Sequence, residues 1–503
     1  MRLSNSDSSA PTHHQELLEA CRRFNLQPGS ADAASLAALL AVIEHKAVPR
    51  AQIPSLLAQA YQRLATLRQT ITAAPELVPA LEQIHSALSA GDQFSLPRAT
   101  EAFASAQSQC QDQHAVAWML AGQAQLAALS CEHRRAAELW AQAAATPGLT
   151  AAEQWHYQLE RATALQDQGR DFMDNSALDE AVVLLETTVL PLVARDQRPL
   201  DWARTQNRLG VILGILGRRQ RGTVRLEQAV AAFDDALASC EREQMPLDWA
   251  EIHNNLGNAL GVLGQRQGEM ALLERAIAAF EQALMVRQPA TTATAWAQTQ
   301  HNLGAALLAL GQRKQDAALL ARAVDAFNNT LTIWGRDQVP LDWANAMDNI
   351  GTAWRLLGEL QHDARMLEQA IAAYRNALTE RTHDRVPQDW ALSNNNLGAA
   401  LHKLGEREHN ADFLAQAVAA YQHALSEWTR ERGFLTWAMT QANLGVARRL
   451  LAAQTKDVEI ARQAVSDLDA VREAFRAASH AHYYELADEQ VNQALATLAS
   501  LSH

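Results

Sequence analysis

Apolar positions in the C-terminal two-thirds of this chain fall on paired helical stripes. Trp202, Leu209, Leu213 and Leu216 share one face of a first segment, and Leu226, Ala229, Val230, Phe233 and Leu237 share one face of a second. Pro199 stops any helix arriving from upstream, and Asp201 has the short acceptor side chain of an N-cap, as do Asp248 and Asp342 in the corresponding places. Gly217 suits a left-handed C-cap between the two segments. The pattern predicts a hairpin of two antiparallel helices, A and B. Neither could bury its apolar face alone.

The hairpin recurs. Trp155, Trp202, Trp249, Trp296, Trp343, Trp390 and Trp437 are each 47 residues apart. Eight residues after the Trp come Gly210, Gly257, Gly304, Gly351, Gly398 and Gly445. A third landmark keeps the same step: Phe233, Phe280, Phe327, Tyr374 and Tyr421 each follow an Ala by four residues and precede Ala or Thr by three. An interval held without slippage is the mark of a stacked repeat, in which each unit packs on its neighbours. A bulky residue at one fixed place in every unit is expected in the core between repeats, so each Trp is predicted to be buried against helix B of the preceding unit.

Upstream the periodicity is looser. Residues 1–13 are small and polar with nothing to bury, and are expected to form a disordered leader. Over 14–79, stripes such as Leu17, Leu18, Cys21 and Phe24, then Leu36, Leu39, Leu40 and Ile43, then Leu56, Leu57, Ala60, Tyr61 and Leu64, predict an N-terminal helical region. Over 80–150, Ala99, Phe103 and Ala106 form a small-aromatic-small triplet that returns as Ala136, Trp140 and Ala143, 37 residues later.

These triplets and the Gly eight residues after each Trp resemble the tetratricopeptide repeat, a helix-turn-helix unit of roughly 34 residues. The triplets near 103 and 140 fit the family's short unit, and 151–478 resembles a long-unit bacterial form with extra residues between Gly210 and Ala229 and between Ala236 and Gly257. The unit at Trp155 is degenerate, with Thr163 in place of the Gly and Glu186 in place of the aromatic. At the far end Leu468 replaces the aromatic, and residues 479–503, with Glu485, Asp488, Glu489, Gln490 and Gln493, are expected to form a capping helix with one wet face. The resemblance implies an all-α fold, a right-handed α-solenoid. It also implies a non-catalytic scaffold or adaptor that holds a protein or peptide in its groove.

Composition agrees with helices: Ala and Leu dominate, Gly is scarce, and alternating Val, Ile and Thr runs are absent. A formal charge of −13 and a pI near 5.7 argue against a nucleic-acid or anionic-membrane surface. The leader lacks a signal-peptide core, and no stretch approaches the roughly 20 apolar residues of a membrane span. The four Cys are far apart without metal or redox spacing, so reduced thiols and a cytoplasmic protein are expected. No His pair shows a metal-ligand pattern, no cofactor motif is present, and the Gly214-Ile-Leu-Gly217 run lies at a helix end rather than after a strand, where a phosphate loop would lie. Neither an enzyme nor a metal site is expected.

Two sets of residues remain as candidates. If the family's orientation applies, the position two before each Gly points into the groove; it holds Arg208, Asn255, Asn302, Asn349, Asn396 and Asn443. Such amides can pair with an extended peptide backbone, or can bond neighbouring helices and keep the repeats in step. About one turn farther along, early units carry Gly214, Gly261 and Leu308, whereas later ones carry Arg355, His402 with Lys403, and Arg449 with Arg448 close by. This basic stripe resembles the family's carboxylate clamp without matching it residue for residue. The expected partner is an acidic segment or a free C-terminus. Self-assembly into an oligomer or filament, and a ligand-responsive regulator, are the alternative readings.

Overall fold

The computed structural model describes residues 95–502 and, before them, Leu39, Leu40, Ile43, Ile53, Leu57 and Ala60. Those six are helical and buried, in keeping with the expected N-terminal helices. The leader and the rest of the first 94 residues lie outside the described residues. Among the described residues all regular structure is helical. Contacts divide the protein into two compact units, Met1–Thr291 and Thr292–His503.

The first unit holds α1 (Ser95–Gln109), α2 (Gln113–Leu129), α3 (His133–Ala144), α4 (Ala151–Asp171) and α5 (Asn175–Leu184), the last running on into a π-turn at Leu185–Val189. Two long-unit hairpins follow, α6 (Pro199–Arg219) with α7 (Val224–Leu237) and α8 (Pro246–Gln267) with α9 (Met270–Leu284). The second unit holds hairpins α10 (Ala293–Lys314) with α11 (Ala317–Leu331), α12 (Pro340–Gln361) with α13 (Ala364–Leu378), α14 (Pro387–Arg407) with α15 (Ala411–Glu427), and α16 (Phe434–Thr455) with α17 (Val458–Ala477). It closes with α18 (Ala481–Leu501). Within each unit every A helix packs on its own B helix, and that B helix packs on the next A helix. Helical hairpins stacked in this way are the predicted all-α class.

Local chemistry departs from the sequence reading at both ends of the A helices. Asp201, Asp248 and Asp342 are not N-caps: Pro199, Pro246, Pro340 and Pro387 take the first helical position, and the Asp lies within the first turn. The ring fixes the φ a helix needs and lacks an N–H to leave unbonded, so Pro starts the helix with no help from a capping residue. The carboxylate still faces the positive end of the helix dipole. In the second unit side-chain N-caps stand on the B helices, at Asp316, Asp363, Asn410 and Asp457, which again recur every 47 residues.

Gly217 likewise does not end helix A, since α6 runs on to Arg219. A Cβ on Gly217 would come within 2.7 Å of Leu226, so its role is close approach of the two helices. Left-handed residues do end several A helices, four residues after the Gly217 place, at Gly268, Gln315, His362 and Lys456. The Gly eight residues after the Trp performs the same service for the aromatic of helix B: a Cβ on Gly257 would stand 2.6 Å from Cε1 of Phe280.

The Trp series is not a buried core. Trp155 is buried, but Trp202, Trp249, Trp296, Trp343, Trp390 and Trp437 are half-buried. Because Trp stands one turn into helix A and the hairpin is antiparallel, it lies level with the end of its own helix B rather than against the preceding one. Trp390 meets His423 of α15 with ring centroids 5.5 Å apart, and Trp437 clusters with Phe475 of α17. At four of the half-buried Trp a residue seven places earlier lies against the ring. Arg242, Arg336 and Arg430 lie 5.5–5.9 Å from the centroids of Trp249, Trp343 and Trp437. His383 replaces the Arg at Trp390, edge to face at 5.0 Å.

His383 also reaches Glu427 at the C-terminal end of α15, Nε2 to Oε1 at 2.8 Å. That hydrogen bond raises the pKa of His383 above its ordinary value. A raised imidazole pKa makes this link strongest in acid and lost as pH climbs through the folded-state value. In an NMR titration His383 should therefore titrate above about 6.5. Glu427→Gln should bring it down, and an unmoved value would show that the carboxylate is not the cause.

Candidate functional site

Helix A exposes one stripe to solvent once its own helix B and the preceding one have covered its other faces. On α14 that stripe runs through Leu392, Asn396, Ala399 and Lys403, at spacings of three and four. The amide series lies on this stripe. Its members are not equivalent.

Asn255 Nδ2 donates to Asn207 Oδ1 of the preceding A helix at 3.1 Å, and Asn396 Nδ2 donates to Asp348 Oδ2 at 3.0 Å. These two amides tie one repeat to the next. Asn302 Oδ1 accepts from Gln298 Nε2 one turn back at 3.1 Å, and Asn349 Nδ2 makes a long 3.5 Å contact with Asn345. Asn443 has no hydrogen-bond partner among the described residues. Arg208, the exception in the series, bonds Gln166 Oε1 at 3.2 Å.

Beneath the stripe of the second unit lies a closed polar cluster. Asp348 and Arg381 are 4% and 5% exposed, with Arg381 Nη1 3.4 Å from Asp348 Oδ1. Ser393 Oγ donates to Asp348 at 2.7 Å and accepts from Arg381 at 2.9 Å. Burial holds the Asp348 carboxyl above the usual carboxylate range, opposed by Arg381, Ser393 and Asn396. Every strong donor here has an acceptor within the protein, so the cluster holds α12, the loop after α13, and α14 together rather than a ligand. The same device recurs once more, where Thr440 Oγ1 donates to Asn395 Oδ1.

The basic positions also separate. Arg355 is held by Glu359 one turn along at 2.5 Å. His402 is buried, and burial first, with the charges of Lys403 and Arg449 adding, lowers its pKa to about 4. It is therefore neutral at pH 7 and adds nothing to a cationic stripe. Lys403 is exposed and pairs with Glu406 at 3.2 Å, and Arg448 is committed to Asp467 of α17. Arg449 is different: half-buried, it has no ion-pair partner among the described residues, and its Nε lacks any acceptor. Asn443 and Arg449 on α16 are thus the predicted site residues left open. The structure places them on one helix.

Sequence reasoning missed a second set of arginines. Arg266 Nη1 donates to the carbonyls of Gly217 and Gln220 at 2.7 Å, and Nη2 to that of Arg218 at 2.7 Å. Arg219 does the same for Gly169 O at 2.8 Å. A guanidinium from one A helix thereby bonds the last carbonyls of the A helix before it, where orphan acceptors and the negative dipole end coincide. The signal was present: Arg219, Arg266 and Arg313 keep the 47-residue step.

No helix among the described residues is long and apolar enough to cross a membrane. Nor does any group of three or more His, Cys, Asp or Glu among them fit a metal ion.

Compared with known proteins, residues 343–382 match the tetratricopeptide repeat family. That unit is a tetratricopeptide repeat, and the units around it carry the same landmarks. Among solved structures, BtubC from P. vanneervenii is 22% identical, with 50% of this chain and 91% of that one covered and a TM-score of 0.34. A Rap protein complexed with competence and sporulation factor is 10% identical over 77% of this chain and 99% of its own, TM-score 0.35. Human IFIT1, a dimer with PPP-AAAA, is 13% identical over 99% and 95%, TM-score 0.42. No curated protein matches the sequence.

Proposed function

We propose that this protein is a non-catalytic scaffold or adaptor that holds a protein partner on the solvent-facing stripe of its A helices. One observation carries the reading. Among the predicted site residues, whose other members are bonded within their helix, to a neighbouring element or buried, Asn443 and Arg449 of α16 remain open, six residues apart on one helix. An acidic segment or a free C-terminus satisfies both, since its carboxylate accepts from the guanidinium while its backbone pairs with the amide. A charged hydrogen bond of this kind is worth roughly 1.5–3 kcal/mol net.

The test is quantitative capture of the native partner from lysate, with mass spectrometry, by wild type and by the Asn443→Ala, Arg449→Ala double variant. Both side chains are partly exposed, so the fold should be kept, as circular dichroism would show. Capture should fall at least about tenfold, the equivalent of about 1.4 kcal/mol. Undiminished capture would remove this pair from the binding face. Arg355→Ala serves as the control, because Glu359 already holds that guanidinium and its loss should change capture little.

A further inference from the structure

We infer that Leu392, Met439 and Leu486 form a docking stripe for an amphipathic α-helix of the partner, which rests on the reading of this face as a partner surface. Leu392 and Met439 each stand two residues after the Trp of their repeat. The third position shows that α18 continues the phase: Tyr484 takes the Trp place, 47 residues after Trp437, and Leu486 stands two residues beyond it. Tyr484 packs beside Ala438 and Phe475, so the terminal helix serves as the A helix of one more repeat.

All three side chains are open to solvent, at 40%, 59% and 49%. In the same unit the two earlier repeats carry polar residues here, Gln298 and Asn345. Single exposed apolar residues are ordinary on any surface. Three at one repeat position on neighbouring helices, following polar ones, make a row rather than a scatter, and a row of exposed apolar side chains is what an interaction site requires. Leu435, 46% exposed and one turn before Met439, widens it.

Spacing selects the occupant. α14 touches α16, and α16 touches α18, and packed helices lie roughly 8–10 Å apart. A partner helix crossing them presents residues i, i+7 and i+14 on one face about 10.5 Å apart, which matches. An extended strand shows same-face residues at roughly 6.6 or 13 Å, which does not. Charge sets the orientation. Farther along the same two helices toward their C-termini, Arg407 and Arg449 have no ion-pair partner among the described residues. The flank of the partner helix lying there should be acidic.

Two synthetic peptides of about 21 residues and identical composition provide the probe. One has Leu at heptad spacing with Glu along one flank; the other alternates Leu and polar residues as a strand does. Fluorescence anisotropy would be read with the full-length protein and with its Leu392→Glu, Met439→Glu variant, whose changes fall on exposed side chains. The helical peptide should bind wild type at least tenfold more tightly than the strand-patterned one, and the variant should lose at least tenfold. Absence of binding, equal binding of the two peptides, or an unaffected variant would overturn the inference. So would a wild-type dimer in sedimentation that the variant breaks, because the occupant would then be a second copy of this protein. If the native partner is captured equally by the stripe variant yet lost with Asn443→Ala, Arg449→Ala, the stripe fails while the scaffold reading stands.

Discussion

Phe280→Ala should lower the unfolding free energy of the unit it belongs to by about 3–5 kcal/mol, the range for emptying a buried Phe. The ring is 2% exposed and fills the space that Gly257 leaves by having no side chain. Gly257→Ala should also destabilise, by about 1–3 kcal/mol, since its Cβ would meet the same ring at 2.6 Å. Gly214 and Gly261 behave oppositely. They lie inside α6 and α8, and a Cβ on either meets nothing within 4 Å. Packing therefore gives no reason for Gly there, and Gly214→Ala should stabilise by about 0.8–1 kcal/mol, the helix propensity difference. Denaturant midpoints of the full-length variants decide the matter. The pairing of Gly257 with Phe280 fails as an account if Gly257→Ala and Gly214→Ala shift stability in the same direction. Because repeat stability is nearest-neighbour in character, the Phe280→Ala loss should be felt by α7 and α8 as well as α9.

Much of this architecture was legible because the repeat turns a weak local signal into several copies of itself. One Gly before an aromatic helix says little; six of them at the same interval fix the hairpin and its contact. The same redundancy misled at the Trp, where regular recurrence suggests deep burial. What recurs is a half-covered ring, and at Trp249, Trp343 and Trp437 a cation from seven residues earlier lies over it. Capping is ambiguous for a different reason: Pro and Asp both mark a helix start, and only the backbone shows which of them takes the first position.

The candidate site was legible as positions but not as states. Asn349, Asn396 and Asn443 are identical in sequence, yet one bonds within its helix, one bonds the preceding repeat and one is open, because their neighbours differ. Residues nine before the Trp show the limit of periodicity. Val193, Cys240, Arg287, Trp334, Arg381 and Trp428 share a place in the repeat and almost no chemistry, so nothing in that series announced Arg381 as a buried cation.

Arg381→Ala should cost about 3–5 kcal/mol at neutral pH, because it strands the Asp348 carboxylate away from water with its counter-charge removed. Part of that penalty can be lifted without restoring the cation. Adding Asp348→Asn removes the stranded charge and keeps an acceptor for Ser393, so the double variant should be more stable than Arg381→Ala alone. The pH dependence has a definite sign. Burial already holds Asp348 above the usual carboxylate range, with Arg381 the largest opposing influence. Losing the guanidinium raises that pKa further. A carboxyl whose folded-state pKa exceeds its unfolded value contributes stability below the unfolded value, about 3.9, and loses it as pH rises through the folded one. The deficit of Arg381→Ala relative to wild type should thus be largest at pH 7 and above, and should shrink as the pH is lowered toward about 5. Denaturant unfolding at both pH values reads this directly. An equal deficit at the two, or a double variant no better than the single, would mean that Arg381 stabilises the junction of α12, α14 and the loop after α13 by packing alone and that the charge on Asp348 is of no account.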